Sequence, residues 1–146
     1  MTDVVATVSK IQGTYAAAVL ARDVGAFMRL YDPKVRVFDA WGVWQYEGAS
    51  AWESAVDGWF KSLGTERVRV TFQETQTFGT AEGACTSGIV TYAAESAQGE
   101  ALRVMQNRMT WGLRTAGHVL RIVHEHTSAP VGFDDLKAIT QRPPAR

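Results

Sequence analysis

From Arg67 to Ser128 the chain alternates with a period of two, and this run limits the fold more than any other feature. Val68, Val70 and Phe72 alternate with Arg67, Arg69, Thr71 and Gln73. Three more strand-like runs follow: Ala84 to Ala94, Ala101 to Leu113 and His118 to Ser128. Short polar segments separate them, at Gly79 to Gly83, Ser96 to Gly99 and Thr115 to Gly117. Strands joined by such short loops form an antiparallel meander. Strands of this length twist and curl.

The first half reads as helix. Val4, Val8, Ile11, Tyr15, Ala18 and Val19 recur at steps of three and four and make one apolar stripe. Asp23 is placed to cap a short second helix that carries Phe27 and Leu30 and is stopped by Asp32-Pro33. Val35 to Asp39 alternates as a strand, and Trp41 to Tyr46 reads as a turn with a short returning strand. Ser50-Ala51-Trp52-Glu53 has capping-box spacing. The helix after it carries Trp52, Ala55, Val56, Trp59, Phe60 and Leu63, with Gly64 at its end. Gly132 to Thr140 is expected to add a terminal helix, and 141–146, with two prolines, a loose tail. Three helices followed by long strands imply an α+β domain spanning 1–140. A curled antiparallel sheet closed by helices on its concave face leaves a conical cavity.

Composition removes several classes of function. At 146 residues one domain is the natural reading. Lys plus Arg and Asp plus Glu number 15 each, so there is no basic surplus for nucleic acid. No stretch reaches the ~18 consecutive apolar residues of a membrane span. The start, Met1-Thr2-Asp3-Val4-Val5, lacks the pattern of a signal peptide. The single cysteine, Cys85, forms no internal disulfide, and a cytoplasmic location fits. No phosphate-binding glycine loop and no Gly-x-Ser-x-Gly motif is present, so no cofactor is expected.

The segment Val119 to Pro130 carries the most functional information. Regular alternation puts Leu120, Ile122, His124 and His126 on one face, and Arg121, Val123, Glu125 and Thr127 on the other. Two imidazoles at the end of a core-facing strand can bind an anion, ligate a metal or sit as structural histidines. A third ligand is not evident, so no metal is expected.

The order of helix, helix, strand, helix and meander resembles the nuclear transport factor 2-like superfamily. That group includes ketosteroid isomerases, SnoaL-like polyketide cyclases and the association domain of calmodulin-dependent protein kinase II. Three segments carry the resemblance: Ala21 to Tyr31, Val37 to Gly42, and Arg108 to Trp111 together with Ile122 to Pro130. The resemblance implies a cystatin-like cone and a homodimer formed through the outer sheet face. Val68, Val70 and Phe72, with Tyr92, Met105 and Trp111 on neighbouring strands, are expected to give the sheet two apolar faces.

Asp39 lies where ketosteroid isomerases keep their basic aspartate. It reads as a general base desolvated by Phe38, Trp41 or Trp44, or as a turn cap. Tyr15 falls where those isomerases carry an oxyanion-binding tyrosine, or it is a core residue with a partnered hydroxyl. Near the position of their protonated acid stands Asn107 or Arg108. Arg108 shares parity with Leu102, Val104 and Gln106. It is expected inside the pocket as a carboxylate fork, or else paired with Glu74, Asp39 or Glu95. Trp41, Trp44 and Trp59 are candidates to wall a pocket for a ring-containing ligand. The resulting expectation is a small-molecule-binding domain for a cyclic or carboxylate ligand, acting as an isomerase, cyclase or dehydratase through Asp39 and Tyr15. Arg108, His124 and His126 would bind the ligand. The alternative is a non-catalytic binding or oligomerisation module.

Overall fold

The structure, a computed structural model, describes residues 3–144. Helix α1 runs Val4–Ala21, α2 Val24–Met28 and α3 Ala49–Ser62. The strands are β1 Tyr31–Phe38, β2 Tyr46–Glu47, β3 Arg67–Gly79, β4 Gly83–Glu95, β5 Ala101–Ala116 and β6 Val119–Ser128. They form one six-stranded sheet in the order β2-β1-β6-β5-β4-β3. The expected meander is its larger half. The sheet is not wholly antiparallel, because β1 pairs with β6 in parallel.

Local chemistry explains most of the boundaries. Asp3 and Asp23 cap α1 and α2, accepting from the amides of Val5 and Ala26 at 3.0 Å each. The helix α3 starts earlier than the expected capping box. Its N-cap is Gly48, at φ 87°, with no side-chain bond, so Ser50 already lies inside the first turn. Gly64 takes a left-handed φ of 59° just past its end. Asp32-Pro33 does not terminate α2. That helix ends at Met28, and Pro33 lies within β1, where the register with β6 shifts between Tyr31 and Arg36.

No helix forms over 132–140. Val131 bridges to Ala138 around a tight turn, with Leu136 at φ 59°. The tail that follows is fastened at its start. The Gln106 amide donates to the Thr140 carbonyl at 2.7 Å, and the Gln141 side chain donates to the Val104 carbonyl at 2.9 Å. Arg142 pairs with Glu74 at 2.5 Å. Ala145 and Arg146 lie outside the described residues.

One correction concerns α1. By length and composition it is apolar enough to cross a membrane, with a mean hydropathy of 1.3. Here it packs along β3 and contributes Val8, Ile11, Tyr15, Ala18 and Val19 to the core. The core centres on Phe27, which is fully buried. Its ring packs against Tyr15, Tyr31, Trp52 and Phe60 at centroid distances of 4.8 to 6.4 Å. Phe27 thus joins all three helices to β1. Phe27→Ala should lower the unfolding free energy by about 3–5 kcal/mol in urea titration. A loss under ~1 kcal/mol would show that the cluster closes over the gap.

Candidate functional site

Along β6 the alternation breaks once. Gly112 pairs with His124 but Leu113 pairs with Ile122, so Val123 is an extra residue on its strand. A bulge of this kind reverses the facing of every residue beyond it. Leu120 and Ile122 face the core before it, and Glu125 and Thr127 after it, with Glu125 only 1% exposed. His124 and His126 therefore turn to the outer face, which corrects their expected place in the cavity. There they pack edge-on against Phe38 at 5.0 and 5.4 Å. His124 Nδ1 donates to the Arg36 carbonyl at 2.8 Å.

Arg108 is also outside. On β5 the buried residues are Asn107, Met109, Trp111 and Leu113, and Arg108 is exposed. The parity of Trp111 and Leu113 governs the strand, leaving Leu102 and Val104 exposed. Arg108 Nε donates to Ser128 Oγ at 3.0 Å. It forms no pair with Glu74, Asp39 or Glu95.

A cavity of about 660 Å³ opens between α3 and the inner face of the sheet. Trp52 and Trp59 project into it from α3, Tyr15 from α1, and Trp41 and Tyr46 from the segment after β1. Tyr92, Asn107, Glu125 and Thr127 come from the sheet, and Asp39 from the end of β1. Of the expected residues, Asp39, Tyr15, Trp41 and Trp59 thus meet here. Trp44 is 95% exposed and borders a second cleft of about 600 Å³ with Phe38 and His126. Asp39 and Thr127 border both clefts.

Glu125 was not anticipated. Its Oε1 accepts from the Tyr31 hydroxyl at 2.6 Å and from Trp111 Nε1 at 2.9 Å. Among the described residues no group bonds to Oε2. Burial pushes this carboxyl up to about 7, against the pull of its Tyr31 and Trp111 bonds, and the nearby Asp39 charge adds to the rise. A glutamate between two histidines on a strand of regular alternation reads as solvent-facing. Only the extra residue at Val123 turns it inward.

Asp39 accepts from Thr127 Oγ1 at 3.0 Å, and that oxygen accepts the Ala40 amide at 2.8 Å. Burial raises the Asp39 carboxyl above its ordinary value. The Thr127 hydroxyl and the backbone amides of Ala40 and Trp41 pull it part of the way back. The Tyr15 and Tyr92 hydroxyls share one hydrogen bond of 2.9 Å. Burial holds both phenols above the usual tyrosine range, so both keep their protons at neutral pH. Two hydroxyls sharing one bond leave one O–H to donate elsewhere. Among the described residues two buried polar atoms on the wall have no hydrogen-bond partner, Asn107 Oδ1 and Trp52 Nε1. Among the described residues no three His, Cys, Asp or Glu side chains stand together to hold a metal ion.

The chain belongs to the SnoaL-like domain family, whose model matches residues 8–132. By structure it is similar to an NTF2-like protein of unknown function from Pseudomonas putida KT2440. That match has TM-score 0.82 and 20% identity, and covers 99% of this chain and 100% of that one. It is also similar to a calcium/calmodulin dependent protein kinase II association-domain-like protein from Xanthomonas campestris. There the TM-score is 0.71 and the identity 15%, over 84% and 85% of the two chains. A protein from Catenulispora acidiphila in complex with S-DNPA matches at TM-score 0.72 and 11% identity, over 86% and 92%. At these identities the likeness speaks for the fold alone. No curated protein matches the sequence.

The Glu125 carboxyl sets a pH-dependent stability. Its rise from 4.5 to about 7 favours the protonated form by roughly 3 kcal/mol. The folded state holds this proton more tightly than the unfolded state does. Stability therefore falls as pH climbs from 4.5 through about 7. Glu125→Gln keeps an oxygen for Tyr31 and Trp111 and carries no charge. At pH 8 urea unfolding should show it more stable than the parent by about 1–3 kcal/mol, with the gap closing near pH 4.5. Equal stability of the two proteins at both pH values would mean that Glu125 titrates like an exposed carboxyl.

Proposed function

We propose that this protein is a small-molecule enzyme that transfers a proton on a cyclic carbonyl substrate held in the aromatic cavity. One observation carries the reading: two carboxyl groups, Asp39 and Glu125, and a tyrosine pair share the wall of one apolar cleft. Asp39 is the base. Its desolvation raises its proton affinity toward the value a base needs near neutrality. It takes a proton from the carbon beside the carbonyl. In a ring ketone with a C=C one carbon further on, the C–H electron pair moves onto oxygen as a dienolate. The proton returns to the far carbon of that C=C, whose double bond shifts toward the carbonyl to complete an isomerisation. The spare O–H of the Tyr15–Tyr92 pair donates to the enolate oxygen. Glu125, through Oε2, anchors the far end of the substrate. Trp41, Trp52 and Trp59 flank the ring. The complex of the Catenulispora relative with S-DNPA supports a ligand-holding use of this fold.

The reading places the protein in the cytoplasm, which suits the lone free thiol of Cys85. It also makes the protein a homodimer through the outer sheet face, on grounds different from those expected. Val68 and Trp111 lie in the core, with Val70, Phe72 and Tyr92 packed against it, and Met105 borders the cavity. The apolar side chains left exposed include Leu102 and Val104 on β5, Phe78 on β3 and Val119 on β6, with Phe133 and Leu136 on the segment after β6. Light scattering at micromolar concentration should give twice the chain mass, and Leu102→Lys with Val104→Lys should give a monomer. A monomeric parent protein would rule out the dimer.

The chemistry is tested by deuterium exchange. A panel of cyclic ketones incubated with the protein in D2O should lose hydrogen beside the carbonyl faster than in buffer, followed by proton NMR. Asp39→Asn should slow this by about a hundredfold or more. Exchange with the parent protein no faster than in buffer leaves a binding module in place of an enzyme.

A further inference from the structure

The polar groups on the cavity wall are unequal in kind. The charged groups are acceptors, the Asp39 carboxyl and Glu125 Oε2, and the unpartnered Asn107 Oδ1 joins them. The donors are neutral: the Trp52 indole N–H, the Asn107 amide N–H groups, the Tyr46 hydroxyl and one O–H of the tyrosine pair. Asn107 is 7% exposed, and a buried amide oxygen without a donor is costly to leave unsatisfied. Arg103, among the described residues the one cation bordering the cavity, is already engaged by Glu66 at 2.6 Å. The aromatic rings complete the pattern, because their faces carry partial negative charge. A carboxylate ligand would meet two carboxyls here and no unengaged cation.

We infer that the natural ligand is a ring compound bearing a protonated amine, with its ammonium at the far end beside Glu125 Oε2 and a hydrogen-bond donor toward Asn107 Oδ1. This rests on the aromatic cavity being the ligand site, as in the function proposed above, and names the class of substrate. An ammonium brings only donors, which matches Glu125 Oε2 and Asn107 Oδ1. Its charge stabilises the Glu125 carboxylate and so reverses the penalty that burial places on it.

The pH dependence follows from the groups that face the carboxyls. Tyr15 on α1, Tyr31 on β1 and Tyr92 on β4 stay neutral at physiological pH. Arg103 on β5 stays charged and paired with Glu66. Tyr46 on β2 also borders the cleft, and α3 and β3 bring no ionisable side chain to the wall. An alkylammonium, like lysine, stays charged from pH 5.5 to 8. Affinity should therefore follow ionisation of Glu125 and rise with pH across that range.

Benzylamine, benzyl alcohol and benzoate serve as probes of the full chain, read by calorimetry and by tryptophan fluorescence. At pH 8 benzylamine should bind at least tenfold more tightly than benzyl alcohol, with benzoate weakest. Its affinity should drop about fivefold or more at pH 5.5. Glu125→Gln should remove most of the preference for the amine. If that variant does not fold, the pH series on the parent protein decides. Benzyl alcohol binding as well as benzylamine, or no probe binding at all, overturns the ammonium site. Deuterium exchange on neutral ketones would then still decide proton transfer separately.

Discussion

The extra residue at Val123 sets what the cavity contains. Before it, β6 sends Leu120 and Ile122 inward, and after it Glu125 and Thr127. Both matter to the neighbouring strand, which β6 meets in parallel. Thr127 holds Asp39 and the Ala40 amide through one hydroxyl, and so ties the end of β1 and the turn after it to β6. Glu125 draws in the Tyr31 hydroxyl from the start of the same strand. Without the bulge these positions would carry outward side chains, and imidazoles would face Tyr31 and Asp39. The two carboxyls thus reach one cleft through a single irregularity in pairing.

The groups that hold Glu125 belong to the core itself. Trp111 and Tyr31 are almost fully buried, and Tyr31 stacks on Phe27 at 5.3 Å. Trp111 packs against Tyr15 and Phe72. Their polar atoms need partners once buried, and Glu125 Oε1 satisfies both at once. The carboxyl is therefore fixed by packed aromatic rings that cannot move without opening the core. A rigid acceptor at the floor of a cleft is favourable for positioning a ligand. The same desolvation keeps its proton affinity high, so precision of placement and perturbed ionisation have one cause.

Much of the architecture was legible from periodicity. The four long strands, the apolar stripes of α1 and α3 and the Asp23 cap all follow from residue spacing, because each repeats a local geometric rule several times over. Where a single residue decides, spacing carries no signal. Val123 looks like any other strand residue, yet it inverts the faces of His124, Glu125 and His126. Arg108 was a different case. Trp111 and Leu113 already implied that Asn107 and Met109 face inward, but Leu102 and Val104 pointed to the opposite parity. The heavier, better-packed end of the strand prevails, since burying a tryptophan and a leucine outweighs exposing a leucine and a valine. The expected terminal helix failed because its apolar residues have no face to pack against. Phe133 and Leu136 remain 95% and 78% exposed.

The two faces of the sheet differ in the charged groups that β1 and β6 bring to them. On the outer face Arg36 lies 4.7 Å over the Phe38 ring, with His124 and His126 against the ring edge and Arg108 nearby on β5. Among the described residues neither arginine has a carboxylate partner. On the inner face Asp39 and Glu125 line the cavity, and among the described residues the only cation there, Arg103, is paired with Glu66. Glu47 on β2 stands opposite Arg36 on the same outer face, so it is the cavity wall, with its two carboxyls, that is one-sided in charge. Fields of this kind act at the distance of a ligand, where burial leaves them weakly screened. Regular alternation would have placed the histidines inside and predicted an anion site. One added residue places a carboxylate there instead, so the pairing register decides which charge lines the cavity.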